Sequence, residues 1–164
     1  MFETRRLIAL IAFIYQVWIT IDATFGPHRL PERIPIHFGL NGQPNGWGSP
    51  ASLMLPLFPA IALGVFLLMS FIAHHPELFN YPVQVTDENR QRLQAVTQNL
   101  LAWMRMEMVC LFATVQWLII SSARHPLGGS PAWMGAPIVA WIVVIFATVI
   151  LNVTALYRAA IDHR

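Results

Sequence analysis

The sequence predicts an all-α integral membrane protein with four transmembrane helices and an ordered Gly/Pro-rich extracytoplasmic loop between the first and second. Three observations point there. Of the 164 residues 56% are hydrophobic and 11% charged, with a mean hydropathy of +0.55, whereas soluble domains carry about 25% charged residues. Four apolar runs approach the roughly 20 residues that a helix needs to cross a hydrocarbon core. Between the first two, residues 26–50 hold five Pro and five Gly, a density that excludes helix and implies tight turns.

Ten Arg, no Lys and eight acidic residues cannot coat a soluble domain of this length. A net charge of +2, dispersed along the chain, is no nucleic-acid footprint. Cys110 is the single cysteine, so no intrachain disulfide is possible and the redox compartment cannot be read.

The spans are expected at residues 7–25, 52–73, 100–121 and 136–157, in one domain covering 1–164. The first follows Arg5 and Arg6 as a secretory signal would, but Ala23-Thr24-Phe25 lacks a small-x-small cleavage pattern. It reads as a retained helix, with Thr20 and Asp22 at the interface. In the second, Pro56 and Pro59 are expected within the first helical turn, where no intrahelical donor is lost; Pro137 plays that part in the fourth.

Arginine asymmetry orients the spans. Arg5, Arg6, Arg90, Arg92, Arg158 and Arg164 fall on one side and Arg29, Arg33 and Arg124 on the other. Both termini are therefore expected in the cytoplasm, and residues 26–50 outside.

Thr86 is a candidate N-cap for the third helix, with Asp87 and Glu88 in the first turn. No Gly or Pro follows until Pro126. A helix from Asp87 to Ser121 would be ~50 Å long at 1.5 Å per residue, so residues 87–99 should project into the cytoplasm as an extension. There Arg90, Arg92, Gln91, Gln94 and Gln98 would be solvated or touch a protein partner.

Arg105 is expected to snorkel to headgroups beside the belt residue Trp103. Glu107 reaches less far and either stays at that interface or pairs inside the bundle. Gln16, Gln116, Asn152 and Thr154 are candidates for hydrogen bonds between helices. An outer metal set could combine His28, His37 and His125 with Glu32 or Asp22, and an inner one His74, His75 and Glu77. Neither has helical HExxH spacing, and solvated histidines are the simpler reading, so neither metal nor cofactor is assigned. No Ser/His/Asp pattern, phosphate-cradling Gly loop or paired intramembrane aspartates is present, so no catalytic residue is assigned and the balance is against an enzyme.

Residues 26–50 carry Ile34, Ile36, Phe38, Leu40 and Trp47 among their turn formers, more apolar area than a disordered linker holds. RIPIHF alternates as a short strand does, with Arg33, Pro35 and His37 opposite Ile34, Ile36 and Phe38. Asn-Gly at 41–42 and again at 45–46 are turn dipeptides. A cap folded on the outer helix ends would place His37 and Asn41 at the mouth of the bundle. Glu32, His37, Phe38, Asn41 and Trp47 are the candidate ligand-binding residues.

The loop pattern L-P-x-x-I-P-x-H-F-x-x-x-G-x-x-x-G-W-G runs through Leu30, Pro31, Ile34, Pro35, His37, Phe38, Gly42, Gly46, Trp47 and Gly48. It resembles the N-terminal membrane domain, of unknown function, of SdpI-type immunity proteins. Asn80 to Val83, with Glu88, Asn89 and Arg92, is similar to a second stretch in small stand-alone members. Asn45 and Pro50 depart from that pattern, and the second half of SdpI-type proteins is missing. The resemblance implies a polytopic bacterial inner-membrane protein with a binding, immunity or sensing role toward a peptide toxin. Two alternatives stand beside it: an accessory or structural subunit of a larger membrane complex, joined through Trp117, Trp133, Trp141 and apolar faces, and a metal-dependent membrane enzyme.

Overall fold

A computed structural model describes residues 2–39, 43–49, 54–124 and 135–161. It contains four long helices, α1 (Phe2–Phe25), α2 (Met54–His74), α3 (Arg90–Arg124) and α4 (Ala136–Ile161), and two strands, β1 (Ile34–Phe38) and β2 (Pro44–Gly48). All four helices are long and apolar enough to cross a membrane. The chain is a multi-pass membrane protein.

α1, α3 and α4 outrun the expected spans because polar residues at their ends still satisfy their backbone bonds helically. Thr86 caps α3 as expected: Asn89 N–H donates to its Oγ1 at 3.3 Å, and the Thr86 N–H donates back to Asn89 Oδ1 at 2.8 Å. This reciprocal arrangement is a capping box with Asn in the usual Glu position. Asn89 is thereby buried, and its amide also reaches the Gln84 carbonyl.

The extension of α3 is not a free projection. Arg92 Nε donates to the Ala159 carbonyl at 3.3 Å, so the last turn of α4 runs beside it, and Leu93 is fully buried. α4 reaches this level because it continues helical past Tyr157 to Ile161.

α3 is the axis of the bundle. It packs against each of the other three, whereas α4 packs mainly on α3. Two apolar clusters fill the joints. Ala9, Ala62 and Val109 form one, backed by Phe13, Phe66 and Phe112. The other lies at the end where α1 and α3 finish and α2 begins: Ile19, Ala23, Leu55, Ile120 and Ala123, joined by Leu30 and Ile34.

Pro59 lies inside α2 rather than in its first turn. Its ring nitrogen has no proton for the Leu55 carbonyl one turn back. Gln116 Nε2, from α3, donates to that carbonyl instead, at 3.1 Å. A helix defect is thus repaired by its neighbour, as lipid-buried backbone requires.

Candidate functional site

β1 and β2 pair antiparallel as the two strands of a hairpin, with Ile34 opposite Gly48, Pro35 opposite Trp47, His37 opposite Gly46 and Phe38 opposite Pro44. A two-stranded ribbon is marginal alone. This one is held by Leu30 and Ile34, which are 4% and 1% exposed in the apolar cluster at the helix ends. Burying Ile34 contributes about 1.5–3 kcal/mol. Upstream, Leu30 N–H donates to the Ala23 carbonyl at 2.9 Å, and Gly26 accommodates the end of α1, where a Cβ would meet Asp22 backbone at 2.7 Å.

Two expectations are corrected here. Asn45-Gly46 is not a turn but the middle of β2, with register shifts on either side of His37. A Cβ on Gly46 would lie 2.9 Å from His37 Cβ, so glycine serves close strand approach rather than a reversal. Pro35 is buried along with Ile34 instead of sharing an outer face with His37, because the bulge disturbs the alternation.

Of the candidate ligand-binding residues, Glu32 and His37 are exposed and Trp47 is 45% exposed. His37 Nδ1 is hydrogen bonded to Asn45 Oδ1 across the strands. The backbone of Phe38 belongs to β1. Asn41 lies outside the described residues, as do His125 and Trp133.

Beside the hairpin, Asp22 joins α1, the following turn and α3. Its Oδ1 pairs with His28 Nδ1 at 3.0 Å and its Oδ2 accepts from Arg124 Nη2 at 2.8 Å. At the opposite end, His74 and His75 donate from Nδ1 to the Ser70 and Phe71 carbonyls, closing the last turn of α2. Among the described residues no three His, Cys, Asp or Glu side chains gather as metal ligands.

Between the two ends runs a polar seam that sequence reasoning found only in part. Arg5 Nη1 donates to Asn99 Oδ1 at 2.9 Å, Asn99 Nδ2 to Asn152 Oδ1 at 3.2 Å, and Asn152 Nδ2 to the Thr148 carbonyl at 2.8 Å. Thr148 Oγ1 then donates to Glu107 Oε1 at 2.5 Å. Glu107, midway along α3 and 1% exposed, is therefore paired inside the bundle with α4. Further along, Gln116 Nε2 also donates to Thr20 Oγ1 at 2.5 Å. Gln16, fully buried, makes no such side-chain bond between helices among the described residues, and Thr154 bonds the Leu151 carbonyl of its own helix. Arg105 does not snorkel: it is 7% exposed, donates from Nη1 to Ser70 Oγ at 3.0 Å and lies over the Phe66 ring. Packing of α2 against α3 closes the route to the interface that an isolated helix would leave open. Asn99 and Thr148 carried no local signal, since only the juxtaposition of helices makes them neighbours.

A family model described as a domain of unknown function, DUF1648, matches residues 7–63. The match covers most of α1, the hairpin and the first half of α2, a little over a third of the chain. No curated protein and no solved structure matches.

Proposed function

We propose that the chain is a non-enzymatic binding protein of a bacterial inner membrane, of SdpI-like type. Its hairpin cap takes a peptide ligand on the outer side, in an immunity or sensing role. The observation that carries this reading is the division of labour in the cap. Leu30 and Ile34 fix it to the helix ends, while Glu32, His37 and Trp47 remain open to solvent. Such rigid backing with exposed aromatic and polar side chains suits recognition of an extended segment. Phe38 and Asn41 complete the proposed surface, both termini lie in the cytoplasm, and the whole chain acts as one domain.

The test is protection of cells challenged with a panel of membrane-active peptides. The wild-type chain is expected to protect against at least one, and His37→Ala, Asn41→Ala and Trp47→Ala to lose that protection at unchanged membrane levels. Full protection by all three variants would overturn the reading. A cysteine placed at Glu32 should react with impermeant maleimide in intact cells.

One observation favours a second reading, an accessory subunit of a larger membrane complex. Val139, Val143, Phe146, Ile150 and Leu151 of α4 are each more than half exposed, a face that another chain could cover. Migration alone in mild detergent, with nothing co-purifying, would remove it.

A further inference from the structure

At the end of the bundle that carries the start of α1, three arginines line one small cavity. Arg5 and Arg6 of α1 and Arg105 of α3 surround it, with Phe66 and Met106 as apolar walls. Arg5 and Arg105 are 6% and 7% exposed. Among the described residues no carboxylate forms an ion pair with Arg6 or Arg105. Glu107, two positions on, is turned to Thr148 on another helix. The one protein acceptor described for Arg105 is the Ser70 hydroxyl, although a guanidinium has five donors.

Like charges gathered around a desolvated space repel one another, and the amino-terminal amides of α1 add positive potential at the same end. An anion reverses the sign of every one of these interactions. Guanidinium forks match the oxygens of a phosphate in pairs, and basic pockets between membrane helices near the headgroup level bind anionic lipid headgroups. The cavity, about 10 Å³, admits one water-sized group, so a phosphate would sit at its mouth with a single oxygen inside.

We infer that Arg5, Arg6 and Arg105 form a phosphate-binding site, filled by the headgroup of an anionic phospholipid or by a free phosphate. The site is independent of the hairpin reading and stands at the other end of the molecule.

The test follows the thermal midpoint of the full-length purified protein in detergent during titration with short-chain phosphatidylglycerol, with phosphatidylcholine and with inorganic phosphate. Phosphatidylglycerol is expected to raise the midpoint more than phosphatidylcholine does. Arg6→Gln and Arg105→Gln should each weaken the apparent affinity about fivefold, whereas Arg33→Gln on the hairpin should not. Because Arg6 is exposed, its variant keeps the test open if Arg105→Gln fails to fold. A response to inorganic phosphate as large as that to lipid, and lost in the same variants, supports the site with a free anion as its source. Equal responses in the wild type and both variants, or an equal response to chloride, would overturn it.

Discussion

α3 and α4 are both single spans, yet they stand at opposite extremes. α4 has the most apolar stretch of the four and α3 the least, while the buried share of that stretch is 6% for α4 and 39% for α3. In a soluble protein the more apolar helix would be the more buried. Lipid inverts that order, because hydrocarbon solvates Leu and Phe as well as a protein interior does, and only polar side chains gain by facing other helices. Ser122, Gln116, Glu107 and Arg105 of α3 are all buried, as is Asn152 of α4. What selects the axis of this bundle is its polar content.

Gln116→Leu should break that contrast hardest, since it strips α3 of the donor that serves both Thr20 and the Leu55 carbonyl. A loss of about 1–3 kcal/mol is expected for the unpaired groups, read from reversible unfolding in mixed micelles. Pro59→Ala gives Leu55 an amide of its own, so Gln116→Leu should cost less in that background. Equal costs in the two backgrounds would refute the repair. Thr148→Val comes next. It leaves Glu107 without its α4 partner and should cost about 1 kcal/mol by the same assay. Smallest is Phe146→Ala on the outer face of α4, expected within about 0.5 kcal/mol. A clearly larger loss there, in a particle heavier than the monomer, would mean that a second chain covers this face.

Much of the candidate site was legible locally. The run RIPIHF announced β1, though not that Pro35 would be buried beside Ile34. That Asn45-Gly46 is no turn was not legible, because Asn-Gly is equally at home where a strand must pass close to His37. The third helix shows the same limit. Its cap at Thr86 is written within four residues, but the fate of Arg92 depended on how far α4 continues, and that of Arg105 on α2 standing beside it.

Apolar run lengths settled that four long apolar helices are present among the described residues and that the chain belongs in a bilayer, since each is a property of contiguous residues against a solvent of fixed thickness. Tertiary structure alone decided that α3 is the axis, that Gln116 completes the backbone of α2, that Glu107 meets Thr148 and that three arginines share a cavity. Those pairings join residues far apart in the chain. In lipid no hydrophobic stripe marks the inner face of a helix, so they can be read only once the helices are side by side.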